Sequence, residues 1–424
     1  MGEAFPGLPK ALIPVGGKPV LQHQLELARQ AGVESATIFA GYLASAIADF
    51  VGDGSRFGLD IRVRIEDAPL GNAGALVGAL DEMPEQFFVL YGDVMAAVDL
   101  ARMGAFHLGC GADFTTLVHP NDHPFDSDLI EADDEDRVAA IRAYPHPDGE
   151  HFANLVNAAL YVVRREALRP FQSPGGGKLD FTRDVLAGLV ARGAKVLAYR
   201  SPEYIKDMGA PARLSRVEAD WRAGKIKTGG AARPAVFLDR DGTLNDDRPF
   251  INCAANLELL PGAGAALRRL REAGFLLIVV TNQPVIARGE ATEAELADIH
   301  RKLEWELGKA GAYIDALYFC PHHPDAGYAG EIPALKIACD CRKPATGLID
   351  AACRDFAIDR AASWVVGDST RDVELARRAG LASVLVRTGN GGEDGRYEVR
   401  PDHVVADIGA AADLIAATAL ASAA

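Results

Sequence analysis

Short apolar runs alternate with amphipathic stretches along the whole chain. In the first half this pattern predicts strands over residues 36–40, 87–91, 115–118 and 160–163, and helices over residues 20–31 and 74–80. In the second half it predicts strands over residues 235–238, 275–280, 364–366 and 383–386, and helices over residues 263–273, 293–310, 373–380 and 407–424. Strands that alternate with helices are typical of α/β domains built on a parallel sheet.

The chain has 424 residues, which is more than one hydrophobic core usually organises. Residues 221–234 are rich in glycine and basic residues and show no hydrophobic period, as expected of a linker. We therefore predict a first domain over residues 1–222, a linker over residues 223–233 and a second domain over residues 234–424.

Composition excludes several classes of function. A formal net charge of -15 argues against nucleic acid or an anionic membrane surface as the main partner. No uninterrupted apolar stretch approaches about 20 residues, and the N-terminus lacks the basic-then-apolar signal pattern, so we expect a cytoplasmic protein. Six cysteines in a chain of this length do not make a disulfide framework.

The second domain begins with the strongest chemical signal in the chain. Asp239 and Asp241 follow the apolar strand 235–238, just before Gly242 and Thr243. Carboxylates one residue apart on a strand face the same way, so one can attack phosphorus while the other handles the proton of the leaving group. The bland alternative is a charged turn after a strand.

Three further motifs lie after predicted strands or near them. Thr281, Asn282 and Gln283 follow the next strand, Arg342 and Lys343 supply cations that can neutralise phosphate, and Asp368 follows the strand over residues 364–366. Open α/β sheets bind ligands at the carboxyl ends of their strands. We therefore expect these groups to converge with Asp239 in one phosphatase site.

This set of motifs resembles the haloacid dehalogenase superfamily of phosphohydrolases over residues 235–405. The resemblance implies that Asp239 is the nucleophile and Asp241 the acid/base, while Thr281 holds the phosphoryl group and Lys343 balances its charge. It also implies that Mg²⁺ is held by Asp239, the backbone carbonyl of Asp241, and Asp368.

Three cysteines and a histidine cluster in the sequence just before Lys343. Thiolates and imidazole of Cys320, His322, Cys339 and Cys341 suit a tetrahedral Zn²⁺ site, which would be structural because four protein ligands leave no open position. His323 is the alternative to His322, and reduced surface thiols without metal are the bland alternative.

The run from Cys320 to Pro324, the run from Cys339 to Pro344, and Arg288 after the Thr-Asn-Gln motif resemble the heptose 1,7-bisphosphate 7-phosphatases within that superfamily. The resemblance implies a phosphorylated sugar substrate. The residues that would contact it or lie near it are Asp247, Arg248, Asn282, Gln283, Arg288 and Arg342. The related histidinol-phosphate phosphatases share much of the pattern and are the alternative.

The run from Gly7 to Pro19 and four later motifs resemble sugar-1-phosphate nucleotidyltransferases over residues 5–220. The resemblance implies a GT-A-type, Rossmann-like first domain beside a HAD-like second domain with a zinc-binding loop. Lys10 would neutralise the phosphates of an NTP, Asp93 and Asp207 would bind Mg²⁺, Gly71 would allow close approach of the base, and Asn157 would contact the sugar.

The glycine-rich phosphate loop with which that family begins has no counterpart after Met1. We expect either a longer natural protein or a first domain that only binds sugar nucleotides and regulates the phosphatase. The favoured interpretation is a two-domain enzyme of heptose nucleotide assembly, in which the phosphatase product is the substrate of the first domain.

Overall fold

The computed structural model describes residues 5, 7–66, 68–147, 149–173, 177–227, 229–247 and 251–423. Arg248, one of the predicted substrate-binding residues, lies outside the described residues. The chain divides into two compact units. The first comprises Met1–Val118, Ile130–Arg142 and Asn157–Ala231, and the second His119–Leu129, Ala143–Val156 and Ala232–Ala424.

Strands and helices alternate through the first part of the chain. The strands are β1 (Pro14–Val15), β2 (Lys18–Pro19), β3 (Ser35–Ala40), β4 (Asp60–Ile65), β5 (Gln86–Leu90), β6 (Val94–Ala97), β7 (Phe114–His119), β8 (Leu129–Ala132), β9 (Val138–Arg142), β10 (Val156–Arg164), β11 (Val196–Arg200) and β12 (Tyr204–Asp207). The α-helices are α1 (Val20–Gln30), α2 (Ala44–Val51), α3 (Gly71–Gly78), α4 (Leu100–Cys110), α5 (Arg165–Leu168), α6 (Ala187–Ala191) and α7 (Pro211–Arg222).

The main sheet of this part is mixed rather than parallel. Its order is β11-β7-β10-β8-β9, and β5 also pairs with β10. Strands β11 and β7 are parallel, whereas β10 runs antiparallel to β5 and to β8. The expectation of a parallel sheet was wrong here, because a buried apolar run does not show whether the strands beside it run parallel or antiparallel to it.

The second part alternates in the same way from residue 235 onward. The strands are β13 (Ala235–Leu238), β14 (Leu276–Asn282), β15 (Ala316–Cys320), β16 (Trp364–Gly367), β17 (Ala382–Val386) and β18 (His403–Val405). The helices are α8 (Ala263–Glu272), α9 (Glu293–Lys309), α10 (Gly347–Asp355), α11 (Thr370–Ala379) and α12 (Ile408–Ala423). The α/β fold class is confirmed.

Strand β13 lies inside a six-stranded sheet of order β15-β14-β13-β16-β17-β18, and all of its strand pairs are parallel. Successive side chains of β13 point to opposite faces. Val236 and Leu238 pack in the core that contains α8, α9 and α12, whereas Phe237 packs in the core that contains α10 and α11. Burial on both faces explains the continuous apolar run, and it makes the strand a rigid support for Asp239.

Among the described residues, no helix is both long enough and apolar enough to span a bilayer.

Candidate active sites

Asp239 begins the turn after β13 and lies against a buried lysine. Its backbone N–H donates to the carbonyl of Val366 on the adjacent strand β16, at 2.9 Å. Its Oδ1 atom is 2.8 Å from Nζ of Lys343, and that ammonium is 2.7 Å from Oδ1 of Asp372. Only 3% of Lys343 is exposed, so its charge acts on these carboxylates with little screening by water.

Three carboxylates converge beside this lysine. Oxygens of Asp239, Asp368 and Asp372 all lie within 4.8 Å of one another. Gly242 lets Asp368 approach, because a Cβ at that position would lie 2.3 Å from Oδ2 of Asp368. Among the described residues Lys343 is the one ammonium paired with these largely buried carboxylates, so the group carries excess negative charge, and oxygen ligands of this kind suit Mg²⁺. The residues present therefore fit a magnesium site.

The excess negative charge and the burial of the three carboxylates shift their pKa values. Burial raises the pKa of Asp239 to about 7, although Lys343 opposes the shift, and the charges of Asp372 and Asp368 add to it. Burial also raises the pKa of Asp368 to about 6. For Asp372, burial is outweighed by Lys343 and Ser369, which lower its pKa. A divalent cation among them would favour the ionised forms of Asp239 and Asp368.

Asp241 is held by four donated hydrogen bonds. Its Oδ1 atom accepts from Nε of Arg240 and from Nδ2 of Asn245, both at 2.9 Å. Its Oδ2 atom accepts from Nη2 of Arg240 at 2.9 Å and from Nε2 of Gln283 at 2.8 Å. Burial opposes ionisation of Asp241, but Arg240, Asn245 and Gln283 outweigh it and lower the pKa.

Strand β14 brings Thr281 and Asn282 to the same edge of the sheet. Thr281 is 1% exposed, and its Oγ1 atom accepts a hydrogen bond from Nε2 of Gln283 at 2.9 Å. Asn282 binds the backbone of Lys343 twice, accepting from its N–H at 2.9 Å and donating to its carbonyl at 3.2 Å. The sheet edge thus orients the loop that carries the lysine.

The remaining predicted substrate residues lie on loops. Arg342 donates to the carbonyl of His322 at 2.9 Å, and burial together with nearby arginines lowers its pKa. Nη2 of Arg288 is 3.2 Å from Nε2 of His323. Oδ2 of Asp247 accepts from Nδ2 of Asn390 at 3.4 Å.

The predicted thiol and imidazole ligands form one cluster. The ligand atoms of Cys320, His322, Cys339 and Cys341 lie within 4.8 Å of one another, and the sulfurs are separated by 3.2–3.6 Å. Nδ1 of His322 is 3.3 Å from Sγ of Cys341. Four soft ligands converging in this way fit a tetrahedral metal, and the cluster includes His322, whereas the His323 ring lies against Arg288.

A second polar site lies in the first unit, where β6 and β12 pair antiparallel. Nζ of Lys10 is 3.1 Å from Oδ2 of Asp93. Arg213 pairs with both carboxylate oxygens of Asp207, at 2.6 and 2.5 Å. A Cβ on Gly209 would lie within 3.8 Å of polar atoms of Lys10, Asp93 and Asp207, so these three side chains surround that glycine.

Asn157 and Gly71, also in the first unit, each contact neighbouring segments of the chain. Asn157 donates to the hydroxyls of Tyr161 at 3.1 Å and Thr182 at 2.9 Å, and it accepts from Thr116 at 2.9 Å. Gly71 has a φ of +77°, and a Cβ there would lie 2.3 Å from the carbonyl oxygen of Leu179. Its lack of a side chain therefore accommodates a neighbouring backbone segment.

Three residues of the site around Asp239 were not among the predicted site residues. Asp372 shares Lys343, Arg240 binds Asp241, and Asn390 donates its N–H and side-chain amide to Asp368 at 2.7 and 2.8 Å. For Asp372 a signal existed, because it lies in the same acidic motif as Asp368. For Arg240 the only signal was its place between two aspartates, and for Asn390 we find none.

Comparison with known proteins matches the two parts of the chain to two different families. The nucleotidyl transferase family matches residues 7–223, and a HAD-hydrolase-like family matches residues 340–411. The D-glycero-beta-D-manno-heptose-1,7-bisphosphate 7-phosphatase of Yersinia pestis is 43% identical over 157 residues, which cover 37% of this chain and 81% of the relative. That of Escherichia coli K12 is 44% identical over 158 residues, 37% of this chain and 80% of the relative.

Among solved structures, the chain is similar to a D,D-heptose 1.7-bisphosphate phosphatase from B. bronchiseptica, complexed with magnesium and phosphate. The identity is 35% and the TM-score 0.38, with 45% of this chain and 99% of that chain covered.

Proposed function

Because the chain belongs to the nucleotidyl transferase family over residues 7–223 and, through its second part, to the heptose bisphosphate 7-phosphatases, we propose that it is a two-site enzyme of sugar phosphates. The second unit is proposed to remove the 7-phosphate of a heptose 1,7-bisphosphate. The observation that carries this proposal is the contact of 2.8 Å between Asp239 and the buried Lys343, with Asp368 and Asp372 beside them. The relatives at 43–44% identity support the choice of substrate.

The proposed reaction has two steps. A carboxylate oxygen of Asp239 attacks phosphorus, the ester P–O bond breaks, and the leaving oxygen takes a proton from Asp241, whose acid form the negative charge of the bound phosphate favours. Water then attacks the aspartyl-phosphate and gives its proton to Asp241, which releases phosphate and restores Asp239. Lys343 reduces the repulsion between the attacking carboxylate and the phosphate, and Thr281 would hold the phosphoryl oxygens.

Two metals are part of the proposal. Asp239, Asp368 and the backbone carbonyl of Asp241 would hold Mg²⁺, which supplies positive charge to the transferring phosphoryl group when bound. Cys320, His322, Cys339 and Cys341 would hold Zn²⁺ in a structural role, because the loop that follows them carries Arg342 and Lys343.

Phosphate release by the purified chain with Mg²⁺ tests the choice of substrate. The compounds to compare are heptose 1,7-bisphosphate, histidinol phosphate and simple alkyl phosphates. We expect kcat/KM to be highest for the bisphosphate. Lys343 lies beside Asp239, and Arg288 and Arg342 are further cations that could bind the second phosphate. Preference for histidinol phosphate would keep the phosphatase chemistry and reject the heptose assignment.

For the zinc site we predict about one zinc per chain by elemental analysis of purified protein, and loss of that zinc in Cys341→Ser. Without the metal the segment between Cys320 and Lys343 should be cleaved faster by protease, because the ion would join Cys320 and His322 at its start to Cys339 and Cys341 near its end. Cys253→Ser is the matched control, because this exposed cysteine lies outside the cluster. Purified wild-type protein free of zinc would contradict the assignment.

The first unit is proposed to transfer a nucleotidyl group to a sugar 1-phosphate. Oxygen of the sugar phosphate would attack the α-phosphorus of an NTP, and pyrophosphate would leave. Lys10 would bind the triphosphate, while Asp93 and Asp207 would hold Mg²⁺. Their convergence around Gly209 supports this proposal.

Asp93→Asn is expected to lower sugar-nucleotide formation by about 100-fold, because one of two metal-binding carboxylates is removed. Formation of NDP-sugar from heptose 1-phosphate and each NTP measures the effect, and phosphate release from the bisphosphate is the internal control that should not change. If the wild-type protein binds NTP without forming product, the first unit is a regulatory binding domain instead.

A further inference from the structure

Arg240 is the largest fully buried side chain in the described part of the protein, and it lies between the two catalytic aspartates. Its exposed fraction is 0%, so it does not contact substrate. Burying a guanidinium costs free energy of folding unless the charge is paired and hydrogen-bonded. Its three described side-chain hydrogen bonds go to the acid/base Asp241, twice, and to Gln283, while Nη1 has no partner among the described residues.

The contacts of Arg240 fix the plane of the Asp241 carboxylate. Nε and Nη2 of Arg240 donate to the two different oxygens, each at 2.9 Å, which is the bidentate geometry that only a planar guanidinium provides. Because 26% of the Asp241 side chain remains exposed, the carboxylate is held by Arg240 and is still partly accessible.

Gln283 extends this arrangement to the phosphate-binding side of the site. It accepts from Nη2 of Arg240 at 3.0 Å, and its Nε2 atom donates to Asp241 at 2.8 Å and to Thr281 at 2.9 Å. Only 2% of Gln283 is exposed. Its amide is therefore committed to its neighbours and joins the acid/base to the threonine proposed to hold the phosphoryl group.

We propose that Arg240, together with Gln283, is a positioning residue that orients Asp241 for proton transfer to the leaving oxygen. The proposal rests on the proposed phosphatase function and deepens it. In the first step the P–O ester bond breaks with its electron pair moving to the leaving oxygen, and the proton of Asp241 goes to that oxygen. Arg240 acts through Asp241, whose carboxylate it orients, and does not itself touch the reacting atoms.

A change of leaving group tests this role. A sugar alkoxide needs a proton as it leaves, whereas p-nitrophenolate leaves without one. In Arg240→Lys the charge stays but the bidentate contact is lost. We expect kcat for the sugar bisphosphate to fall by about 100-fold with KM changed by less than about 3-fold. General acid catalysis accelerates a reaction by about this factor or more, and it depends on the position of the acid. The first turnover of p-nitrophenyl phosphate should stay close to the wild-type rate.

The first turnover must be measured rapidly, because Asp241 also activates water in the second step. We expect Arg240→Lys to release one nitrophenolate per site in a burst and then to turn over slowly. Asp241→Asn should show the same burst, and Asp239→Asn should show none. Equal losses with both substrates, or no loss with either, would overturn the proposal.

Gln283→Met provides a second variant in case Arg240→Lys does not fold. It keeps the shape of the side chain and removes no charge, so we expect the same selective loss at about 10-fold. A loss that is equal for the two substrates would again overturn the proposal. Failure of the wild-type protein to hydrolyse either substrate would reject the phosphatase function itself, which distinguishes the two conclusions.

Discussion

Asp239→Asn should abolish phosphate release from every substrate while the chain stays folded. The amide of the variant cannot attack phosphorus in place of the Asp239 carboxylate. We therefore expect the rate to fall on the order of 10⁵-fold, comparable to the loss on removal of other catalytic nucleophiles. Phosphate release in the presence of Mg²⁺ measures the effect.

The same Asp239→Asn substitution should leave the folded protein as stable as the wild type, or more stable, at pH 8. The raised pKa of Asp239, about 7, means that the folded protein disfavours its ionised form. The destabilisation from this disfavoured charge is absent below the pKa of an unfolded aspartate, about 4, develops as pH rises from about 4 to 7, and is complete above pH 7. A neutral amide removes it, and Lys343 keeps Asp372 as a partner. We therefore expect the melting temperature of Asp239→Asn at pH 8 to equal or exceed that of the wild type.

Asp413→Asn is the matched control, because this carboxylate on α12 is 70% exposed in its ion pair with Arg269. It should leave turnover unchanged. Turnover by Asp239→Asn within 10-fold of the wild type would show that another group attacks phosphorus.

The second unit could be predicted from the sequence in most respects. Its buried strands are continuous apolar runs, and in a parallel sheet their carboxyl ends share one edge. Asp239, Thr281 and Asp368 each follow such a run within a residue or two, so their convergence followed from topology alone. The cysteines could be grouped because Cys320 ends β15 and the others lie at short spacing on one later loop.

Other parts of the site depend on contacts that local pattern does not contain. Asn390 follows β17 and reaches Asp368 across a turn, and nothing in its neighbourhood distinguishes it from other loop asparagines. Arginine is usually exposed, and nothing in the sequence indicates that Arg240 is buried. In the structure its Nε and Nη2 atoms donate to the two oxygens of Asp241 and to the amide oxygen of Gln283, whereas Nη1 has no hydrogen-bond partner among the described residues.

The first part of the chain illustrates a second limit. Residues 119–129 and 143–156 group with the second unit although they lie between strands of the first. Asn154 donates its N–H to Glu304 on α9 at 2.9 Å, and the ring of His146 lies 6.0 Å from that of Trp305. Such grouping arises from the packing of single aromatic and polar side chains, whereas the periodicity of a segment reports only its own secondary structure.

Lys343→Met is expected to weaken both activity and folding, because this ammonium is shared by two buried carboxylates. Oxygens of Asp239, Asp368 and Asp372 lie within 4.8 Å of one another, and without Lys343 no ammonium of the described residues pairs with Asp239 or Asp372. Removing one partner of a buried ion pair typically costs about 3–5 kcal/mol, and we expect about 3 kcal/mol at pH 8 for unfolding of the second unit. The midpoint of urea unfolding, followed by tryptophan fluorescence, measures the loss.

The pH and Mg²⁺ dependence of this loss distinguish charge repulsion from a packing defect. The ammonium lowers the pKa of Asp239, so its removal should raise that pKa above about 7. At pH 5 the carboxyl of the folded variant is then protonated and the loss should shrink, whereas it should grow as pH rises through 7. Mg²⁺ should restore part of the stability at pH 8 by replacing the missing charge, without restoring wild-type turnover.

Lys309→Met is the matched control, since this lysine at the end of α9 is 55% exposed and pairs only with Glu306 among the described residues. Its effect should stay within about 0.5 kcal/mol at both pH values. A loss in Lys343→Met that is the same at pH 5 and pH 8, and that Mg²⁺ does not reduce, would mean that the lysine contributes packing alone. In that case the carboxylates of the site would have to be neutralised by their own protons, and the proposed Mg²⁺ site would lose its electrostatic basis.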